Sequence, residues 1–183
     1  MSLLQAIVLA IVQGVTEFLP ISSSGHLALA PRIAGWPDQG LAYDVALHIG
    51  TLAAVLVYFR REWAGLVLGL LTRSRFVFGG SGDSPVSAWR LLVLLVLGTI
   101  PAAIFGFLLK DALEGPARKP EWIAAFLIGT AVVLAIGELA GRRRRGLATM
   151  SRADAVIIGI AQAAAVLPGL SRSGTTIAAA MLL

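Results

Sequence analysis

Two short polar segments hold most of the side chains that could perform chemistry in this largely apolar chain. Residues 17–26 (EFLPISSSGH) supply a carboxylate, three serines and a histidine. Residues 167–176 (LPGLSRSGTT) supply an arginine between two serines. A guanidinium matches the geometry of a phosphate group, and glycine lets backbone N–H groups approach anionic oxygens. The two segments together indicate an anion site whose carboxylate and histidine could transfer a proton or attack phosphorus.

The elements that must position these side chains are membrane helices. The 183 residues are 57% apolar and only 14% charged, with a mean hydropathy of +0.85, whereas soluble domains carry about 25% charge. This composition excludes a cytosolic enzyme and a disordered chain, and the absence of cysteine excludes a disulfide scaffold. A bilayer requires about 20 apolar helical residues. We therefore predict spans at residues 43–59, 91–109 and 122–141.

The distribution of basic residues predicts orientation in the membrane. The net charge of +5 is concentrated in short loops between apolar runs, which predicts membrane orientation and no nucleic-acid partner. The positive-inside rule places residues 60–90 and 142–152 in the cytoplasm and 110–121 outside. We interpret the four arginines at 142–145 as a topology anchor rather than a lipid-headgroup site. Residues 63–71 are too short to span, and 79–85 are predicted to form a flexible loop.

Residues 2–35 and 153–183 each read as a short helix, a polar break and a second short helix. Because lipid does not tolerate irregular backbone at depth, we predict two re-entrant hairpins whose breaks are buried in a bundle. Both contain a glutamine, then Leu-Pro, then Ser-x-Ser-Gly, beginning at Gln13 and Gln162. Three intervening spans place them on opposite sides of the membrane, as in an inverted-topology repeat. The expected fold is an all-α polytopic membrane protein forming one domain over residues 1–183. Its first repeat would occupy 1–150, and the second would begin at 153 and remain incomplete, which indicates a truncated sequence or a fragment.

Three ionisable residues fall at or near the breaks, namely Glu17, His26 and Arg172. Charges at bilayer depth are costly, at about 2.5–3.5 kcal/mol each, so their presence indicates a polar site. A structural ion pair between Glu17 and Arg172 is the alternative explanation. Glu17 could orient the histidine or bind a divalent cation, and Gln13 lies on the same helix face. His48, within a predicted span, is interpreted as a hydrogen-bonded core residue.

Residues 13–26 and 168–176 closely resemble the two signature motifs of the undecaprenyl-diphosphate phosphatases of the bacitracin-resistance type. The resemblance implies a multi-pass enzyme of the bacterial inner membrane. Its activity would remove the terminal phosphate of undecaprenyl diphosphate, which recycles the lipid carrier for cell-wall synthesis and confers bacitracin resistance. It also implies inverted repeats, surrounding membrane lipid and a divalent cation such as Mg²⁺ or Ca²⁺, and a homodimer is one assembly to be tested.

Matched position by position, the resemblance implies a set of site residues. The catalytic group comprises Glu17, Ser23, His26 and Arg172. The substrate-binding group comprises Ser22, Ser24, Gly25, Ser171, Ser173, Gly174 and Thr176. The metal group comprises Glu17 and Gln13, although many members have a second glutamate at the position of Gln13, so this chain lacks their carboxylate pair. Either His26 or Ser23 could be the nucleophile, and the sequence leaves both open.

Two other functions are compatible with parts of the pattern. Broken helices in inverted repeats also occur in transporters, so a transporter or flippase of a phosphate-bearing prenyl lipid is the main alternative. A carrier would need Arg172 but would not need His26 as a chemical group. A second membrane lipid-phosphatase superfamily also contains Ser-Gly-His. It requires a histidine and an aspartate after its Ser-Arg element, and residues 173–183 contain neither.

Overall fold

A computed structural model of the chain describes residues 1–76, 85–109, 119–142 and 145–183. The described ranges contain eight α-helices, one 3₁₀ helix and two very short strands. The helices are α1 Leu3–Phe18, α2 Ser23–Ile33, α3 Leu41–Tyr58, α4 Arg60–Thr72, α5 Ala88–Leu108, α6 Pro120–Ala140, α7 Arg152–Ala164 and α8 Arg172–Leu182, with the 3₁₀ helix at Leu147–Thr149. Strands β1 (Arg75–Phe76) and β2 (Val86–Ser87) pair in antiparallel fashion. The predicted helical class is confirmed, with this two-residue pairing as a local exception.

Three helices are long and apolar enough to cross a membrane within the described ranges, namely α3, α5 and α6. They end within one residue of the predicted spans and begin two or three residues earlier. Their surfaces carry large apolar side chains, and α3 buries no residue at all. Because such surfaces are unfavourable in water, they indicate a membrane protein.

Both predicted helix–break–helix segments are present. In the first, α1 and α2 are separated by residues 19–22, where Pro20 cannot continue a helix and Ser22 adopts a left-handed conformation with φ of 69°. In the second, α7 and α8 are separated by residues 165–171, where Gly169 has φ of 99°. Positive φ is easily adopted by glycine, which explains its position at the turn. The two breaks therefore reverse the chain with different residues in the positive-φ conformation, a serine in the first and a glycine in the second.

Small residues let the hairpins approach the long helices closely. The α7 helix packs along α5, and α8 packs along α6. A Cβ atom on Gly159 would lie 2.6 Å from the carbonyl oxygen of Gly98, and one on Gly137 would lie 2.9 Å from the Cα of Ala178. Close approach at small residues is a common means of association between membrane helices. The α5 and α6 helices thereby hold the second hairpin against the bundle.

The start of α7 is fixed by a charged cap. The Ser151 hydroxyl accepts a hydrogen bond from the backbone N–H of Asp154, and the Asp154 carboxylate accepts one from the N–H of Ser151. Arg145 donates to the same carboxylate at 3.2 and 2.5 Å. The Arg145 hydrogen bond, aided by those from Ser151, lowers the pKa of Asp154 to about 2. One of the four arginines predicted as a topology anchor thus also stabilises a helix N-terminus.

Some predicted features lie outside the described residues. These are most of the flexible loop predicted at 79–85, most of the loop at 110–121, and Arg143 and Arg144. The short segment predicted at 63–71 lies within α4. There Leu66 forms a small buried cluster with Val86, Ala88 and Leu91, which packs against the 3₁₀ helix. The α4 helix is thereby tied to the start of α5.

Candidate active site

The two breaks meet through a reciprocal pair of glycine contacts. A Cβ atom on Gly25 would lie 3.2 Å from the Cα of Gly169, and one on Gly174 would lie 2.8 Å from the carbonyl oxygen of Pro20. Gly25 follows Pro20 by the same number of residues as Gly174 follows Gly169. Gly25 therefore contacts the residue five positions before Gly174, and Gly174 contacts the residue five positions before Gly25. Reciprocal contact of this kind is characteristic of two-fold-related surfaces.

A cavity of about 470 Å³ lies between the breaks. It brings together polar side chains from two parts of the chain that are more than 110 residues apart in sequence. On the side of the first hairpin and α3 it is lined by Thr16, Glu17, Ser22, Ser23, Ser24 and His48, and on the side of the second hairpin by Gln162, Ser171, Arg172, Ser173 and Thr176. Of the substrate-binding residues predicted, Gly25 and Gly174 instead form the buried contact between the breaks.

Glu17 is the centre of the first half of the site. It lies in the last turn of α1, and Ser23 is the first residue of α2. The Ser23 hydroxyl donates a hydrogen bond to Glu17 Oε2, and Gln13 Nε2 donates to the same oxygen at 3.1 Å. The left-handed turn at Ser22 folds α2 back so that this contact can form. The carboxylate is thus placed to accept the proton of Ser23.

His26 lies apart from this group. Its Nδ1 is 2.8 Å from the carbonyl oxygen of Ser22, one turn earlier, and donates to it in the matching tautomer. His26 is half-buried and does not line the cavity. In the described part of the chain, the side-chain contacts of Glu17 are with Ser23, Gln13 and His48 rather than with His26.

The second half of the site is built around the N-terminus of α8. Ser171 caps this helix, because its hydroxyl accepts a hydrogen bond from the N–H of Gly174 at 3.0 Å. The first N–H groups of a helix and its dipole attract anions. Arg172 is the first residue of α8 and is exposed. No carboxylate of the described residues lies within 4 Å of its guanidinium, so the alternative of a Glu17–Arg172 ion pair is not realised. This half is suited to bind phosphate.

Comparison with known proteins identifies the family. The family model described as "Bacitracin resistance protein BacA" matches residues 6–183. The chain belongs to this family. It is 46% identical over 183 residues to "Undecaprenyl-diphosphatase 1" of Pseudoalteromonas translucida (strain TAC 125), covering all of this chain and 66% of that protein. It is 48% identical over 190 residues to "Undecaprenyl-diphosphatase 2" of Stutzerimonas stutzeri (strain A1501), covering all of this chain and 67% of that protein.

This BacA-family chain is also similar to the "Undecaprenyl-diphosphatase" of Teredinibacter turnerae (strain ATCC 39867 / T7901), at 45% identity over 183 residues, with 100% of this chain and 67% of that protein covered. The chain spans about two thirds of the length of the curated relatives that it matches. Family membership thus rests on matches that include both polar segments.

Two further side chains of this BacA-family chain lie at the site, although the sequence did not predict a role for them there. His48, interpreted from sequence as a core residue, has a side chain that is 44% exposed and lies 3.8 Å from Glu17. The sequence feature that could have identified His48 is the row of polar residues Asp44, His48 and Thr51 on one face of an otherwise apolar helix. Thr130 of α6 is buried and donates to the carbonyl of Gly169 at 3.0 Å while accepting from the N–H of Ser171 at 2.8 Å. A single threonine in an apolar span gave no such signal.

The oxygen atoms at the site suit the divalent cation that the family resemblance implies. Glu17 supplies one carboxylate, and Gln13 is 1% exposed with an Oε1 atom that is buried and without a hydrogen-bond partner. Among the described residues, no group of three or more His, Cys, Asp or Glu side chains is gathered at one point. Mg²⁺ is often bound by one or two carboxylates together with substrate phosphates. The site therefore fits a cation shared with a phosphorylated substrate.

Proposed function

We propose that the chain removes the terminal phosphate of undecaprenyl diphosphate. The observation that carries this proposal is the cavity in which Arg172 and the N-terminus of α8 face the hydrogen-bonded pair of Ser23 and Glu17. One wall has the chemistry to bind a diphosphate, and the other has a nucleophile with a base. The names of the relatives support the same activity, since each is called an undecaprenyl-diphosphatase.

The diphosphate would be bound by the second break. Arg172 can donate two parallel hydrogen bonds to phosphate oxygens, and the first N–H groups of α8 point along the helix axis toward the same place. Ser173 and Thr176 line the same wall. As the transferring phosphoryl group develops its charge, these fixed donors stabilise the transition state, which is where most catalysis of phosphoryl transfer originates.

Ser23 would be the nucleophile. Its Oγ forms a bond to the terminal phosphorus, the bridging P–O bond breaks, and undecaprenyl phosphate leaves. The Ser23 proton passes to Glu17, which already accepts a hydrogen bond from that hydroxyl. Water then attacks the phosphoserine, which releases phosphate and restores the serine with a proton returned through Glu17. His26 is the competing nucleophile, but its ring is engaged with the Ser22 carbonyl and lies outside the cavity lining.

Glu17, with Gln13 beside it, would hold a divalent cation together with the phosphate oxygens. Such a cation would offset negative charge on the diphosphate. The residues of the chain perform the other tasks: Arg172 orients the terminal phosphate, Ser23 attacks and Glu17 moves the proton.

The prenyl chain would begin in a second cavity of about 400 Å³, which shares Ser24 and His48 with the first. Its wall combines apolar side chains, among them Leu27, Val45 and Leu52, with the polar and charged side chains of Arg32, Asp38, Gln39 and Asp44. A headgroup in the polar cavity would therefore leave the prenyl chain against the apolar side chains that α3 contributes to this wall. The surface of α3 beyond it buries no residue and is suited to lipid.

We infer further that both helix–break–helix segments are re-entrant and related by inverted topology in the inner membrane. Three candidate spans separate them, and an odd number of crossings supports hairpins that enter from opposite sides. The reciprocal contacts of Gly25 and Gly174 support a two-fold relation between the breaks. Broken helices that meet in this way mark binding sites in other membrane proteins.

Phosphate release from undecaprenyl diphosphate by the purified chain in detergent tests the function. We expect Arg172→Ala to reduce release by about 10³-fold, because loss of one donor to the charge that develops in the transition state costs up to about that much. Arg152→Ala is the matched control, since Arg152 is the exposed first residue of α7 as Arg172 is of α8. Binding of the lipid by the wild-type chain without any release would instead favour the transporter function.

A further inference from the structure

His48 and Glu17 face each other within ion-pair range but beyond hydrogen-bond distance. His48 Nε2 lies 3.8 Å from Glu17 Oε2, which is too long for a hydrogen bond. Both side chains line the polar cavity, and they come from different helices, α3 and α1. The space between the two atoms is the size that one bridging atom or ion would occupy.

The orientation of the His48 ring is fixed by its other nitrogen. Nδ1 lies 2.7 Å from the carbonyl oxygen of Asp44, and a carbonyl can only accept, so Nδ1 carries the proton. The lone pair of the neutral ring is therefore on Nε2, which faces Glu17. Histidines that bind metals usually donate their second N–H to a backbone carbonyl or a carboxylate, which fixes the tautomer in this way.

We propose that His48 is a metal ligand and that Nε2 and the Glu17 carboxylate hold one divalent ion together. Metal–nitrogen and metal–oxygen bonds of about 2.1 Å allow two ligand atoms on one ion to be up to about 4.2 Å apart, and the observed 3.8 Å lies within that limit. The 3.8 Å distance is measured to Glu17 Oε2, which also accepts hydrogen bonds from Ser23 and Gln13. Oε1 of the same carboxylate accepts no hydrogen bond from the described residues, so the ion would bind this second oxygen.

His48 would thus take the place of a second carboxylate. Position 13 holds glutamine here, and its amide nitrogen donates to Glu17, so Gln13 contributes no negative charge. A neutral imidazole supplies a strong ligand without adding charge. Water would fill the other coordination positions, and, if the proposed function holds, phosphate oxygens of the substrate would replace some of it.

The ligand type predicts which ions bind. Imidazole nitrogen favours transition-metal ions, whereas Ca²⁺ and Mg²⁺ prefer oxygen alone. A site with one imidazole and one carboxylate is therefore expected to bind Mn²⁺ or Zn²⁺ more tightly than Ca²⁺. Mn²⁺ is the useful probe, because its electron spin reports directly on coupled nitrogen nuclei.

The experiment is pulsed electron paramagnetic resonance of Mn²⁺ bound to the purified chain, with and without inorganic phosphate. We expect ¹⁴N modulation from a directly bound imidazole. The chain contains two histidines, His26 and His48, so the paired variants His48→Gln and His26→Gln assign the nitrogen. His48→Gln should remove the modulation and weaken Mn²⁺ binding by at least about tenfold, whereas His26→Gln should leave both unchanged.

Each other result overturns the inference. Loss of the modulation in His26→Gln would make that histidine the ligand, and modulation that survives in both variants would come from another nitrogen. A wild-type chain that binds no Mn²⁺ under either condition would have no such site. Phosphate release is measured separately, so that release without Mn²⁺ binding contradicts this inference alone. Mn²⁺ binding through His48 without phosphate release contradicts the proposed function alone.

Discussion

The first and second breaks of the chain share a sequence pattern but differ in chemistry. Both end in Ser-x-Ser-Gly, yet the position between the serines is Ser23 in the first and Arg172 in the second. Only the first has a carboxylate nearby, because the residue four after the shared glutamine is Glu17 in one segment and Val166 in the other. A repeated backbone motif can therefore divide a reaction, with one copy supplying nucleophile and base and the other supplying cationic groups.

The two breaks also differ in how their backbones are held. Ser171 caps α8 and is bound from outside by Thr130 of α6. Ser22 makes no capping hydrogen bond to α2 and sits at φ of 69°, a conformation that costs a non-glycine residue free energy. The second break is held by a neighbouring helix, whereas the first has a strained residue directly before Ser23, the proposed nucleophile. Strain of this kind is frequent at functional sites.

The proposed division of roles between the two breaks is tested most directly by substituting Ser23. Ser23→Ala should lower phosphate release by at least about 10⁴-fold, as expected when a covalent nucleophile is lost. If Ser23 is phosphorylated during turnover, rapid acid quenching with labelled substrate should yield phosphoserine in the wild-type chain. A larger loss in His26→Ala than in Ser23→Ala, together with acid-labile phosphohistidine, would transfer the role to His26.

The contact between the breaks is tested at its two glycines. Gly174→Ala should reduce kcat/KM by about 100-fold, because the new Cβ would meet the backbone oxygen of Pro20 at 2.8 Å and displace Arg172. Gly25→Ala should cost less, since its Cβ would lie 3.1 Å from the flexible side chain of Leu127 and 3.2 Å from the Cα of Gly169, both longer than the 2.8 Å contact of Gly174.

Gly50→Ala in α3 is the control for the glycine pair, because nothing lies within 4 Å of its Cβ position. This substitution should leave turnover unchanged and stabilise the helix by up to about 1 kcal/mol. Equal activity of Gly174→Ala and Gly50→Ala would mean that the two breaks do not need close contact.

The hydrogen bonds that hold the second break are tested by substituting Thr130. Thr130→Val keeps the shape of the side chain but leaves the carbonyl of Gly169 and the N–H of Ser171 without their partner. Burying unpaired polar groups should lower stability by about 2 kcal/mol, measured as a fall in Tm in detergent. Thr130→Ser keeps the hydroxyl and should lose much less stability. A serine variant as unstable as the valine variant would contradict a leading role of the two hydrogen bonds.

The smallest expected effect concerns the cap of α7. The pKa of Asp154 is about 2 in the folded protein, below its ordinary value of 3.8, so its contribution to stability is present above about pH 4 and is lost as pH falls through about 2. The difference in Tm between wild type and Asp154→Asn should therefore be constant from about pH 5 to 7 and shrink as the pH falls below about 4. A constant difference down to pH 2 would contradict the Arg145–Asp154 interaction.

Much of the fold could be predicted from sequence because lipid imposes strict rules. The three spans follow from apolar length, and the helix breaks follow from Leu-Pro followed by serine and glycine. The strand pairing of β1 with β2 could not be predicted, since two-residue strands have no periodicity to detect.

The site was predictable where it is contiguous in sequence and less so elsewhere. Glu17, Ser23 and Arg172 belong to dense polar motifs within apolar surroundings. Thr130 and His48 are single polar residues on long helices, and their roles depend on which face meets the breaks. The separation of His26 from Glu17 depended on the left-handed turn at Ser22, which sequence alone did not predict.

The reciprocal contact of the two breaks has a consequence for the order of synthesis. Glu17 and Ser23 are made within about the first 30 residues, whereas Arg172 follows after three candidate spans have emerged from the ribosome. Gly25 and Pro20 lack their contacts with the second break until Gly169 and Gly174 have been made. The hydrogen bonds of Glu17 with Ser23 and Gln13 need only residues of the first segment, so that half of the site can form early in synthesis, and the cavity closes only when the second break arrives.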